Sequence, residues 1–199
     1  MTRLHFTGCG RTGTRFVYSV LCSQLHLDVM FEAPSKSQHL VSWMDGLRTD
    51  LPYDYKIVQI RNPFKVLSSL VLSNEEAWKW ADNSLRRDAK MEGLRQPYEN
   101  HREWNAVALF AQWYLALQED CDFIFRIEDV STVLPSLLEH HLGIHYVQTA
   151  QAIRQVLTTC NTVKREQMFW SADTIERVCP TWAPIVFKLA DRFHYGEPI

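Results

Sequence analysis

Glycine is scarce in this chain, 7 of 199 residues, which excludes a collagen-like or glycine-rich low-complexity polymer. Long apolar runs are absent: nothing approaches the roughly 18 consecutive residues of a membrane span. Cysteine is limited to Cys9, Cys22, Cys121, Cys160 and Cys179. An odd count without a CxxC pair points to free thiols in a reducing compartment rather than a disulfide framework. A surplus of either charge is also missing. Lys and Arg total 21 against 23 Asp and Glu, a net charge of −2. That argues against bulk binding to nucleic acid or an anionic membrane and leaves room only for a local basic site. No repeat or long linker divides the chain, and Met1 to Phe6 reach a glycine loop too soon for a signal peptide. The expected location is cytoplasmic.

What is present fits a globular protein. Hydrophobic residues at 46% and charged residues at 22% supply both a core and a solvated surface. A chain of this length buries roughly 70% of the surface it exposes when unfolded, so residues 1–199 are expected to form one domain. Leu4 to Thr7 reads as a buried strand ending at Gly8. Phe16, Val17, Val20, Leu21 and Leu25 recur at helical spacing, predicting a helix over 13–25. Leu27 to Phe31 reads as a second strand, stopped by Pro34. Tyr55 to Ile60 is the clearest strand, and Pro63 suits the first turn of a helix carrying Val66, Leu67, Leu70 and Val71. Residues 74–103 crowd charges among tryptophans. They read as a helix with solvated faces, with a mobile lid as the rival. Trp104 to Leu117 reads as an amphipathic helix and Phe123 to Ile127 as a strand, with two or three helices beyond it, one near Trp182 to Phe193. Alternating strands and helices predict an α/β protein with a mainly parallel sheet, whose ligands bind beyond the C-terminal strand ends.

Three strand ends, Gly8 to Thr14, Glu32 and Arg61 to Ser69, are expected to converge on one site. Gly8-Cys9-Gly10-Arg11-Thr12-Gly13-Thr14-Arg15 lies between a strand and a helix, where backbone N–H groups can approach an anion. It matches GxGxxG, and Glu32 follows Gly8 by 24 residues, where a ribose-binding acid of a dinucleotide enzyme would stand. That reading leaves Arg11, Thr12, Thr14 and Arg15 unexplained. A guanidinium and hydroxyls suit direct bonds to phosphate or sulfate oxygens. The loop is not a Walker A motif, because Thr14-Arg15 stands where Lys-Ser/Thr is required, and this counts against a kinase or ATPase. The second feature is Arg61-Asn62-Pro63 with Ser69 eight residues after Arg61, a cation and a hydroxyl placed to hold a second anion.

Together, these motifs resemble the sulfotransferases that use 3′-phosphoadenylyl sulfate (PAPS), closest to the bacterial-type members. The family's Lys-Ser-Gly-Thr-Thr-Trp-like loop is similar to Arg11-Thr12-Gly13-Thr14-Arg15-Phe16. Its Arg-(Asn/Asp)-Pro strand end with a later Ser is similar to Arg61 to Ser69, and its Arg-(Tyr/Val)-Glu-Asp-Leu segment to Arg126 to Val130. The resemblance covers residues 4–32, 55–72 and 108–130, with a weaker echo at Asn161 to Arg165 and the C-terminal helix. It implies a three-layer P-loop NTPase-like fold, PAPS as co-substrate, adenosine 3′,5′-bisphosphate (PAP) as product, and no metal. It implies that Gly10, Arg11, Thr12, Gly13, Thr14 and Arg15 bind the 5′-phosphosulfate. Arg61 and Ser69 bind the 3′-phosphate, with charge added by Lys164 and Arg165. Arg11 replaces the lysine common in the cytosolic animal enzymes and stabilises charge rather than donating a proton. Glu32 is the first candidate for the base that takes the acceptor's proton, and His39 the second. The acceptor is open among carbohydrate, lipid, small alcohol and peptide. The rival functions are an NAD-type enzyme and an inactive nucleotide-binding module. His140, His141 and His145 read as surface histidines rather than metal ligands, Glu128 and Asp129 as braces for the sheet end, and Trp78, Trp80 and Trp104 as core.

Overall fold

The computed structural model describes residues 2–32, 38–159 and 170–195. Five strands, β1 (Leu4–Thr7), β2 (Val29–Phe31), β3 (His39–Val41), β4 (Tyr55–Ile60) and β5 (Phe123–Arg126), form one sheet in the order β2-β3-β1-β4-β5. Every pairing is parallel, with Thr7 opposite Val58 and Ile60 opposite Arg126 at the C-terminal ends. Parallel strands covered on both faces are apolar throughout, and β1 accordingly is buried at all four positions. The expected α/β architecture with helices flanking a parallel sheet is what forms.

Helices cover both faces. On one side lie α2 (Pro63–Leu70), α3 (Glu75–Arg87), α4 (Arg102–Glu119), α7 (Ala172–Val178) and α8 (Ala183–Arg192), packed around Val58, Ile60, Trp78 and Trp113. On the other lie α1 (Thr14–Tyr18), α5 (Val130–Leu142) and α6 (Tyr146–Thr159), packed around Leu4, Phe6 and Ile57. Helix α4 is buried around most of its circumference, including Asn105 and Gln112, so it lacks the narrow apolar stripe of a surface helix. Asn62 caps α2 by accepting from Phe64 N at 3.0 Å, with Pro63 at the first position. Asn74 caps α3 by accepting from Ala77 N at 2.9 Å, with Glu75 and Glu76 in its first turn and Arg86 and Arg87 in its last, matching the helix dipole.

Several expectations are corrected. The helix predicted over 13–25 is α-helical only to Tyr18 and continues as a wider π turn over Ser19–Gln24, shown by Leu25 N donating to Val20 O. Strand β3 is not among the expected strands, because its three residues stand in no longer apolar run of the kind that contains β2. Among the described residues four α-helices, rather than two or three, follow β5. Pro34, Lys164 and Arg165 lie outside the described residues. Among the described residues no helix is long and apolar enough to cross a membrane, and no His/Cys/Asp/Glu group could hold a metal ion.

Candidate functional site

The strand order fixes where a ligand can sit. From β1 the chain leaves for β2 and β3 on one side; from β4 it leaves for β5 on the other. The connections diverge between the neighbours β1 and β4, and ligands of open α/β sheets bind beyond the C-terminal ends at such a switch point. The glycine loop follows β1 and Arg61 follows β4, so topology alone brings the two motifs to one crevice.

Local packing shapes the loop. At Gly8 any side chain would collide with the Gln59 carbonyl oxygen, so β4 passes close only because Gly8 has no Cβ. Gly13 has φ +102, and a Cβ there would sit 2.9 Å from Ile127 Cγ1. Arg11 also takes a left-handed conformation, φ 71, which is uncommon for a side-chain-bearing residue and turns the chain outward. The Thr12 hydroxyl points inward and donates to Cys9 O at 2.6 Å, with Thr12 N donating to the same carbonyl at 3.3 Å. Thr12 therefore braces the turn with the hydroxyl expected to bind the anion. Thr14 is buried, whereas Arg11 and Arg15 are exposed. The amide N–H groups of Gly13 and Thr14 donate to no carbonyl among the described residues, whereas that of Gly10 faces the buried Cys9 sulfur. Because α1 is only five residues long, these amides and the guanidinium groups, rather than a helix dipole, make the rim attractive to anions.

The β4 end closes on this loop. Arg61 Nη1 donates to Arg11 O in a long hydrogen bond of 3.4 Å. A Cβ on Gly10 would stand 3.7 Å from Leu70 Cδ2, so the last turn of α2, which carries half-buried Ser69, abuts the loop. Arg126 ends β5 beside Ile60. Its guanidinium lies 4.8 Å over the Tyr195 ring and 3.5 Å from Asp129. Glu128 accepts from the Tyr195 hydroxyl at 2.7 Å and from Asn62 N at 3.4 Å, the bracing role expected of it. Cys9 is buried, and burial pushes its thiol well up, so it is a neutral packing residue and not a nucleophile.

Glu32 stands at the C-terminal end of β2, two strands from β1, or ~10 Å at the usual strand spacing. Its backbone is left-handed, φ 53. Its Oε2 accepts from Ser42 Oγ at 2.9 Å and Met44 N at 3.1 Å. Burial, the largest influence, raises its carboxyl above the ordinary value, against hydrogen bonds from Met44, Ser42 and Trp43 that lower it. Trp43 spans the gap: a Cβ on Gly10 would meet its ring at 3.5 Å, and Trp80 packs edge-on against it at 4.9 Å. Of the three tryptophans read as core, Trp78 and Trp104 are buried; Trp80 is half-buried in the cluster with Trp43 and Trp113.

His39 is a correction. It opens β3 at the N-terminal end of the sheet, opposite the glycine loop, and its buried Nδ1 accepts from Leu4 N at 3.2 Å. Burial pulls its imidazole below the ordinary value, and its Nδ1 is engaged with the backbone at the end of the sheet away from the glycine loop. Tyr114, Tyr195, Trp43 and Ser42 line or support the rim without having been legible. Tyr114 is 105 residues from the loop amide it contacts, and no local pattern reports such a contact.

No family model matches the chain, and no curated protein matches it. Among solved structures, the crystal structure of mouse sulfotransferase SULT7A1 complexed with PAP is similar at a TM-score of 0.45 and 10% identity, covering 96% of this chain and 82% of that one. A likeness at that level assigns nothing, and the functional reading rests on the chain's own residues.

Proposed function

We propose that the chain transfers a sulfuryl group from PAPS to an acceptor hydroxyl or amine. The observation that carries this reading is the meeting of Arg61 with the Arg11 carbonyl at 3.4 Å, which joins the two anion-binding motifs across the switch point. Arg11, Arg15 and the loop amides hold the 5′-phosphosulfate end. Arg61 and Ser69 read the 3′-phosphate and so distinguish PAPS from ATP and NAD. Lys164 and Arg165 add charge there by resemblance alone. PAPS supplies a sulfuryl group on a phosphate leaving group; the bond from sulfur to that phosphate oxygen breaks as one forms to the acceptor. A guanidinium keeps its proton, so Arg11 neutralises charge gathering on the departing phosphate oxygen. Glu32 takes the acceptor's proton. Its raised carboxyl brings it closer to neutral pH, where a general base works best. Positioning and charge stabilisation dominate such transfers, and none of these roles requires a metal.

The sheet order disfavours the NAD-type reading. In the dinucleotide fold the acid that binds ribose ends the strand next to β1, whereas here β3 separates Glu32's strand from β1. Calorimetric titration with PAP, with 5′-AMP and NAD as controls, tests the proposal. Tight PAP binding with weak AMP binding is the expected result. NAD binding with indifference to PAP overturns it, and PAP binding without sulfation of any acceptor leaves an inactive nucleotide-binding module.

A further inference from the structure

Two buried tyrosines reach the same rim, one from the middle of α4 and one from the chain just beyond α8. Tyr114, in the middle of α4, receives Cys9 N at 3.4 Å and donates to Gln59 O at 2.7 Å. One hydroxyl thus links the glycine loop to β4 just beyond the last residue pair of the β1–β4 ladder, Thr7 with Val58. Two residues further out, Arg61 returns to Arg11 O. The result is a closed circuit: Cys9 to Arg11 on one side, Gln59 to Arg61 on the other, tied at the base by Tyr114 and at the mouth by Arg61. Tyr195, just beyond α8, does the corresponding work between β4 and β5. Its hydroxyl lies 2.7 Å from Glu128 Oε2 and 3.2 Å from Ile60 O, and Glu128 in turn receives Asn62 N. Residues 60 and 62, the neighbours of Arg61, are therefore both tied through Tyr195.

We infer that Tyr114 and Tyr195 are positioning residues that set the spacing of the two anion subsites, Tyr114 by fixing the glycine loop and Tyr195 by fixing the strand end that presents Arg61. The inference rests on the proposed PAPS reading for its ligand, while the circuit itself is read from the hydrogen bonds. The two hydroxyls divide the work. Loss of the Tyr114 hydroxyl strands a buried Cys9 N–H and releases the loop from β4, so it weakens everything the loop holds. Loss of the Tyr195 hydroxyl leaves the loop in place and frees only the Arg61 end.

Tyr114→Phe and Tyr195→Phe keep the rings and remove only the hydroxyls. PAP and 5′-AMP affinities are measured by calorimetry well below each variant's melting temperature, with amide exchange followed on the ligand-free proteins. Tyr114→Phe should lower PAP and AMP affinity together, by about tenfold or more, and speed exchange at residues 9–14. Tyr195→Phe should lower PAP affinity alone and speed exchange at 60–62. A lower melting temperature with both affinities and local exchange unchanged overturns the inference and leaves the tyrosines as packing. If the wild type binds no PAP, the nucleotide reading fails, but the exchange pattern still decides the positioning role. Should Tyr114→Phe not fold, the selective loss in Tyr195→Phe decides it.

Discussion

Two irregular segments of this protein face opposite demands. Residues 88–98 run between α3 and the helical turn that precedes α4, and buried side chains secure them point by point. Gln112 donates to Gly93 O at 2.9 Å and accepts from Gly93 N at 3.0 Å. Asn105 does the same for Arg95, at 3.0 and 2.8 Å. Asp82, almost fully buried, accepts from Leu94 N, Arg86 Nε and Tyr98 OH. The side chains act as a missing strand, which pins this stretch as a wall. Residues 8–13 are instead braced from beneath by Cys9 O, Thr12 and Tyr114 and at the mouth by Arg61, and the amides of Gly13 and Thr14 are left without a carbonyl among the described residues. Polar groups that a fold satisfies internally belong to scaffold; those it leaves at a rim are available to a ligand.

The sharpest way to break this comparison is at Asp82. Asp82→Ala removes the acceptor of three donors, strands the buried Leu94 N–H and Tyr98 hydroxyl while leaving the half-exposed Arg86 to solvent, and should cost about 2–3 kcal/mol in urea unfolding. PAP affinity of the folded variant should not change; a parallel loss would show that the wall belongs to the site. Arg61→Ala is its converse. Losing one charged contact should lower PAP affinity by about 1.5–3 kcal/mol, leave 5′-AMP affinity unchanged and move stability by less than ~0.5 kcal/mol. Gly13→Ala joins the two regimes, since its positive φ and the close Ile127 side chain should cost about 1–3 kcal/mol and weaken both ligands. Circular dichroism melts with parallel titrations read both effects.

The smallest effect on binding is expected at Glu32. Glu32→Gln should leave PAP affinity within about twofold while transfer falls by roughly 100-fold or more. The pH dependence follows from its raised carboxyl. The folded state holds this proton more tightly than the unfolded chain does. Its contribution to stability is therefore complete below the ordinary carboxylate value and is lost as pH rises through the higher folded value. Glu32→Gln should abolish that slope in denaturant midpoints measured against pH. The wild-type transfer rate should rise with pH through the same interval as the carboxylate forms. A rate that is flat there removes Glu32 as the base.

Much of the rim is written locally. Gly8, Gly13 and the strand that ends just before Arg61 stand in short contiguous patterns, and Pro63 and Asn62 announce the start of α2. Strand β3 was not readable because its three residues stand in no longer apolar run, whereas the equally short β2 sits within Leu27 to Phe31. The resemblance that offers His39 as a second candidate base does not place it on a strand, and β3 sets it at the far end of the sheet from the glycine loop. The Thr12 hydroxyl looked like a ligand contact, and only the closed turn shows it spent on Cys9 O.

The sequence by itself determined the alternation of apolar strands and helices, the two basic strand ends and their order along the chain, because these depend on neighbours a few residues apart. Tertiary structure decided which strand lies beside which, and hence that Arg61 meets the glycine loop while Glu32 stands two strands away. It also decided that Tyr114 and Tyr195 tie the rim together. Those contacts join residues 50 to 135 positions apart, and only burial of the whole sheet brings them within hydrogen-bonding distance.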